Sequence, residues 1–409
     1  MPLGFRPIIF IAVLIIRCQL GFSQVKINEF DIVIIGAGAM GSAAAYNLGL
    51  KGKTKVLVLE RSGDAQKAVG SSTGASRITR KISIENPEYM SLNKKSFQLL
   101  HELEEKLETE LIEPRELLTI SSRENLKYFS KVKEKTISSK TPHKYLTNRS
   151  EILKNYPLLK LPNREYEAIV EFGGNGTGIM HADKIILTLR QEAKKKGIQF
   201  HYGEFGLKLS EVSGGIRIET NRSAYFAKKV IITASSSTKE FLSLPLQHVP
   251  QTLLFAPITS EKQKKMPILI VHDDDHLPHS FYSIPEQENL KYSFHVLGTA
   301  KAETYSWAHK ILDNYFNIES KVEHTSSCFY TTTPDKTPII GPVKAFGSNV
   351  IVGAGFQGNG FKMSLGIGDL LASFALGEKI IEDYSRFSPD RFKKEPSFKS
   401  DLHIQKPRV

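Results

Sequence analysis

The chain has 409 residues, 40% hydrophobic and 24% charged, a globular composition that excludes disordered, collagen-like and coiled-coil chains. Its 55 basic and 43 acidic residues leave a formal charge of +12. No zinc-finger spacing, basic region with heptads or aromatic-basic pattern accompanies that charge, so no nucleic-acid partner is expected. Two cysteines are too few for a disulfide scaffold or a cysteine-rich metal protein.

Arg6 precedes an apolar run over residues 8–16. A bilayer span needs about 20 apolar residues, so this run suits the core of a secretory signal. Gly21 and Ser23 stand at −3 and −1 of a cut before Gln24. Residues 1–23 are therefore expected to be a signal peptide, the mature protein to be exported, and no stable membrane insertion to follow. Arg17 and Cys18 after the run keep open a membrane anchor formed by residues 8–16. Cleavage removes Cys18 and leaves Cys328 without an intramolecular partner. Asn148, Asn175 and Asn221 head glycosylation sequons.

Residues 30–35 are apolar apart from Asp31, which suits a buried parallel strand. Gly36-Ala37-Gly38-Ala39-Met40-Gly41 follows, then an alanine-rich helix, then a second strand over 55–59 ending in Glu60. This is the order of a dinucleotide-binding unit. Gly36 turns the chain, Gly38 lets the backbone approach a pyrophosphate, and Gly41 lets the helix pack on the strand. The helix N-terminus offers free N–H groups to phosphate. Glu60 accepts from ribose hydroxyls and favours FAD or NAD over NADP.

Residues 88–111 carry Met90, Phe97, Leu100, Leu103 and Leu107 at helical spacing, as core packing. Residues 125–160 are lysine-rich and weakly patterned, as a solvated face. A helix is predicted over 182–196 and strands over 198–202, 216–219 and 229–233, the last returning to the nucleotide-binding sheet. With no long linker and no internal repeat, two domains sharing the chain discontinuously are expected.

Four motifs in order make the chain resemble the FAD-dependent amine oxidases of the D-amino-acid-oxidase superfamily, especially monomeric sarcosine, N-methyltryptophan and pipecolate oxidases. They are the nucleotide unit; the run Gly70 to Arg80 ending Arg77-Ile78-Thr79-Arg80; Leu290 to His295; and Cys328-Phe329-Tyr330 with Thr333-Pro334-Asp335 and Gly355 to Lys362. The resemblance implies an α/β fold: a Rossmann-like FAD-binding domain (24–110, 177–244, 326–385) interleaved with an α+β, mixed-sheet substrate domain (111–176, 245–325), and a tail over 386–409. It implies that Gly36, Gly38, Met40, Gly41, Glu60, Arg61, Ser71, Gly355, Gly358, Gly360 and Lys362 hold FAD, and that Cys328 attaches it covalently. It further implies that Arg80 and Lys362 bind the substrate carboxylate, and that Arg77, Tyr282, Lys291, His295 and Tyr330 serve catalysis, Lys291 by facing oxygen.

The residues themselves allow plainer readings. Arg77 and Arg80, three apart, share one side of a helical turn and suit a planar anion, or form a surface pair. Lys291, Ser293 and His295 alternate with Leu290, Tyr292 and Phe294, so one strand face is polar, turned to solvent or to a site. A lone thiol is usually inert. The run His272-Asp273-Asp274-Asp275-His276 reads as a solvated loop, and no metal is expected.

Thr73 and Asn359 replace histidines common in the family, and Ser235-Ser236-Ser237 replaces a glycine-containing turn. The expected activity is oxidation of a small secondary amino acid (sarcosine, another N-methyl amino acid or pipecolate) to its imine, with O2 reduced to H2O2, by a monomer. An FAD dehydrogenase with another acceptor and a degenerate flavin-binding protein remain the alternatives.

Overall fold

The computed structural model describes residues 28–65, 70–81, 87–122, 126–138, 140–174, 176–273, 277–296 and 302–392. The expected signal segment with Cys18, the sequon residue Asn175, residues 274–276 and the tail beyond 392 lie outside the described residues.

The apolar run at the start becomes β1 (Asn28–Ile35), at the centre of the first sheet. It pairs in parallel with β2 (Val56–Glu60) and β12 (Ala224–Ile232). Outside β2 lies β9 (Gln199–Tyr202), also parallel. β12 serves two neighbours along one edge. Its first half pairs antiparallel with β11 (Gly215–Thr220), which pairs with β10 (Gly206–Val212). Its second half pairs in parallel with β19 (Val350–Ala354), which is followed by antiparallel β18 (Ile339–Pro342). Alternate β1 residues enter two cores. Ile32 and Ile34 meet Ala44 and Leu48 of α1 (Ala39–Leu50) and Ile367 and Leu371 of α8 (Ser364–Leu376). Val33 and Ile35 meet Ile216, Ile218 and Tyr225. Both faces are covered, as a parallel sheet requires.

A second sheet, of mixed sense, runs β17 (His324–Thr332), β13 (Gln247–Pro257), β16 (Asn289–Phe294), β15 (Phe281–Glu286), β14 (Ile268–His272), β5 (Leu117–Ser122), β7 (Tyr166–Glu171) and β6 (His143–Leu146). One face packs on α4 (Arg149–Asn155) and α7 (Ala302–Tyr315) through Ile152, Ile311 and Tyr315. The short α6 (Glu261–Lys264) precedes β14 and opens on a capping box at Ser260. A third sheet, β3 (Ser76–Thr79), β8 (Gly178–His181) and β4 (Ile112–Pro114), joins the two larger ones. Ile78 and Ile179 pack there against Leu117, Ile268 and Ile284 of the second sheet. α2 (Pro87–Leu107) and α5 (Ala182–Lys195) complete this layer, with Leu100, Leu103, Ile185 and Leu189 in one cluster.

Two expectations are corrected here. Residues 125–160 are more than a solvated face: they hold α3 (Leu126–Ser138), β6 and α4, each with buried residues. Lysines dominate α3, but Phe129 and Val132 are buried against Ile169, an apolar stripe too narrow to stand out. The expected division at 325/326 falls inside β17, which pairs with β13 from His324 to Thr332. Cys328 and Tyr330 therefore belong to the second sheet. Among the described residues, no helix is long and apolar enough to cross a membrane.

Candidate active site

Gly36 ends β1 at φ +100°, and its N–H donates to the Leu59 carbonyl at 2.8 Å. A Cβ there would lie 2.7 Å from the Thr233 carbonyl oxygen. At Gly41 a Cβ would lie only 1.8 Å from the Gly36 oxygen, so α1 starts hard against the turn. The first N–H groups of α1 have no partner within the helix; that of Ala39 donates to Ser72 Oγ at 3.1 Å. Glu60 accepts from Ala37 N at 2.7 Å and Ser62 N at 2.8 Å, which fixes its carboxylate at the cradle's rim. Arg61 pairs with Glu240 at 3.1 Å and lies 4.8 Å above the Phe205 ring.

From this cradle one cavity of about 920 Å³ continues across the third sheet to the second. Gly36, Gly38, Met40, Glu60, Arg61 and Ser71 line its nucleotide end; Arg77, Arg80, Tyr282, Lys291, His295, Cys328, Tyr330 and Lys362 line the rest, where Gly358 packs against the Tyr330 ring, and Gly355 and Gly360 are on the wall as well. Gly41 alone of the expected residues is not on the wall; it acts beneath it.

Arg77 and Arg80 are not on a helical turn. Arg77 lies within β3 and Arg80 directly after it. Ile78 and Thr79 favour a strand, and spacing of three alone does not make a helix. Arg77 is held by three carbonyls, donating to Ser76 (2.7 Å), Ser71 (3.1 Å) and Thr73 (2.6 Å). It thus ties the turn at Gly70–Ser72 to β3. Lys362 donates to Asn359 Oδ1 at 2.7 Å, so the asparagine at the departure position holds the lysine. Ser235, at φ +53°, bonds Thr331 Oγ1 at 2.9 Å. The serine turn thereby joins β17, in a conformation a glycine takes with less strain.

Lys291 does not face solvent: it is 3% exposed, and both faces of β16 are covered. Its ammonium donates to the Ser76 carbonyl (3.0 Å), to Ser76 Oγ, and to Glu286 Oε2 (2.5 Å). Burial pulls Lys291 down to about 8, against the upward pull of Glu286. Burial pushes the Glu286 carboxyl up, but the charge and hydrogen bond of Lys291 outweigh that and hold it below its usual range.

His295 Nδ1 meets the Tyr330 hydroxyl at 3.4 Å, and His272 Nδ1 meets Ser280 Oγ at 2.6 Å. Burial brings His295 to about 4 and His272 to about 3, with nearby cations adding to it. Both imidazoles are neutral at neutral pH. Burial lifts Tyr282 to about 12 and Tyr330 well above its ordinary value, so both stay phenols. Cys328 is half-buried, its thiol raised by burial against the pull of Arg77 and Lys291. Buried Glu171 on β7 rises to about 7 through desolvation, opposed by Arg80.

His272, Glu171 and Glu286 were missed by sequence reasoning. His272 closes the apolar run of β14, a signal that the acidic loop after it obscured. Asp273 faces away, taking Arg164 at 2.5 Å and the hydroxyls of Tyr166 and Tyr315, each at 2.8 Å. Among the described residues, no group of three or more His, Cys, Asp or Glu could hold a metal ion.

The two imidazoles give a stability slope. Their folded pKa values lie below the ordinary 6.5, so between about pH 6.5 and 4 the unfolded chain binds protons that the folded chain refuses. Their contribution is complete above pH 6.5 and is lost as pH falls, at about 1.4 kcal/mol per pH unit for each ring. Melting temperature should therefore drop between pH 7 and 5 more steeply in the native chain than in His272→Gln. Equal slopes would show that His272 titrates normally.

A glycine-turned β–α–β cradle, opening into a long cavity floored by a mixed sheet, defines a dinucleotide-dependent oxidoreductase. Residues 31–374 match the family model for FAD dependent oxidoreductases, and the chain belongs to that family. It is 30% identical over 394 residues to a putative sarcosine oxidase of Caenorhabditis elegans, covering 90% of this chain and 98% of that one. It is 28% identical over 401 residues to monomeric sarcosine oxidase of Bacillus sp. strain B-0618, covering 92% and 98%. The structure of NikD, described as an unusual amino acid oxidase essential for nikkomycin biosynthesis, superposes with a TM-score of 0.75 at 19% identity, over 88% and 98%. That likeness confirms the fold.

Proposed function

We propose that the chain oxidises a small secondary amino acid, such as sarcosine, another N-methyl amino acid or pipecolate, to its imine while O2 is reduced to H2O2. One observation carries the reading: Arg80 and Lys362 line one cavity with Lys291 and two neutral groups, His295 and Tyr330. The cradle fits FAD: Gly36, Gly38, Met40, Glu60, Arg61, Ser71, Gly355, Gly358 and Gly360 all line the cavity, and a side chain at Gly36, Gly358 or Gly360 would collide with neighbouring atoms. FAD, when bound, supplies the acceptor for a hydride from the carbon next to nitrogen.

The chain's own groups orient the substrate. Arg80 and Lys362 would take its carboxylate, the guanidinium in bidentate fashion. Neutral His295 adds no charge to repel the amine as it becomes an iminium. The phenols of Tyr282 and Tyr330 wall the cavity and exclude water. Lys291 presents a cation where oxygen gains electrons. Cys328, on the cavity wall, would hold the cofactor through a thioether; export behind residues 1–23 and action as a monomer complete the proposal. A dehydrogenase reading draws support from one feature, the Glu286 carboxylate that offsets Lys291.

The test is absorbance of the purified protein before and after acid precipitation, followed by peroxide release with an amine panel. Yellow colour should stay in the pellet of the native protein and pass to the supernatant in Cys328→Ala. Colour released by the native protein would defeat the thioether. Amine-reduced protein yielding no peroxide would defeat the oxidase reading.

A further inference from the structure

β15 and β16 form a hairpin closed by Gln287 and Glu288, with Gln287 at φ +54°. Glu286 stands opposite Asn289, and Ile284 opposite Lys291. Glu286 and Lys291 are thus diagonal neighbours across the ladder, close enough for long side chains to meet. They do meet, at 2.5 Å, with side chains only 14% and 4% exposed. Ser76 Oγ also donates to Glu286 Oε2 while Lys291 donates to the same hydroxyl and to the Ser76 carbonyl. Three residues from β3, β15 and β16 close a triangle, of which Ser76 and Lys291 line the cavity.

The titratable and charged groups facing Lys291 are Glu286 on β15, Arg77 on β3, the neutral Cys328 thiol on β17 and Asp183 in the first turn of α5. Arg77 is committed to three carbonyls. Of the two carboxylates, Glu286 touches the ammonium. An approaching anion then meets a dipole, whose field dies away faster than that of a lone cation.

We propose that Glu286 is a positioning residue that clamps the Lys291 ammonium against Ser76 and offsets its charge, so that oxygen reduction in the native chain is restrained. The inference rests on the oxidase reading above. There, the hydride taken from the amine (two electrons and a proton) and one further proton from water convert O2 to H2O2. The first electron makes an anion, superoxide, and a net positive charge nearby accelerates that step. The pair supplies orientation but little net charge.

The test uses FAD-loaded protein reduced by dithionite and mixed with oxygenated buffer, with flavin absorbance as the readout. Dithionite makes the result independent of the amine. At pH 6, Glu286→Gln should reoxidise about tenfold faster than native, because an uncompensated ammonium is left. Burial then lowers Lys291 without opposition, so the gain should fade as pH rises toward 8, while the native rate holds to about pH 7 and falls to about half by pH 8, where Lys291 itself gives up its proton. Glu286→Asp should keep native behaviour. The Lys291→Met and Glu286→Gln double variant replaces a neutral pair by neutral groups and should reoxidise within about threefold of native. Lys291→Met alone leaves a bare carboxylate and should be far slower. A second readout needs no flavin: the Lys291 Cε resonance should titrate about one pH unit lower in Glu286→Gln. Unchanged or slower reoxidation of Glu286→Gln at pH 6 overturns the inference, as does a double variant as slow as Lys291→Met. Faster reoxidation without turnover of any amine would uphold it while defeating the proposed function.

Discussion

Gly41→Ala should yield a chain that binds FAD at least a hundredfold more weakly and melts at a clearly lower temperature. The added methyl would fall 1.8 Å from the Gly36 carbonyl oxygen and 2.7 Å from Thr233 Oγ1. Neither can retreat easily. Gly36 is held by its own N–H to Leu59, and Thr233 Oγ1 donates to the Gly36 carbonyl at 2.9 Å. The helix must therefore move off the turn, and the free N–H groups at its start move with it. Overpacking of this kind costs about 1–3 kcal/mol, and the displaced donors add the loss of their phosphate bonds. Gly63→Ala is the control, since a Cβ there meets nothing within 4 Å. Flavin absorbance per mole of protein, with a thermal melt, decides the matter. Stoichiometric FAD in Gly41→Ala would mean that the cradle tolerates a shifted helix.

The contrast between Gly41 and Glu286 shows what the sequence made legible. The cradle is local: strand, turn, helix and acid lie within residues 30–60, and each step has a short-range cause. The return of the 229–233 run to β1 was legible too, because only a strand covered on both faces is so continuously apolar. The triangle of Ser76, Glu286 and Lys291 was not. Glu286 and Lys291 are five residues apart, a spacing that means nothing until the hairpin between them is known. That hairpin turns on Gln287 and Glu288, without the Asn or Gly that advertises a two-residue turn. Ser76 then arrives from more than two hundred residues away. The arginine pair failed for the converse reason. Its spacing fits a helix, and only the β-branched residues between the two arginines, Ile78 and Thr79, spoke for the strand that the third sheet requires. Polar residues near the ends of β7, β14 and β15 became the unforeseen part of the site, since a strand's register decides which chain ends meet.

Arg80→Met should lower kcat/KM for the amine substrate by about a hundredfold or more, with most of the change in KM and the flavin retained. A desolvated charge that loses its partner costs about 3–5 kcal/mol, and each 1.36 kcal/mol is tenfold. Arg80 is well placed to exert that effect. Its backbone carbonyl accepts from Asn93 Nδ2 at 2.6 Å, and its charge depresses His272 and His295 and opposes the rise of Glu171. Arg80→Lys keeps the charge without the planar fork and should recover part of the loss. Binding of a simple monocarboxylate, followed by perturbation of the flavin spectrum, should weaken by a similar factor, because it probes the carboxylate contact without the chemistry. The same substitution removes the pull of Arg80 and should raise Glu171 above about 7, so that the folded chain takes up a proton near pH 7. Proton uptake on folding in that range favours the folded state as pH falls, so Arg80→Met should lose less stability at pH 6 than at pH 8. An unchanged KM and unchanged carboxylate binding would move the recognition role from Arg80 to Lys362 alone.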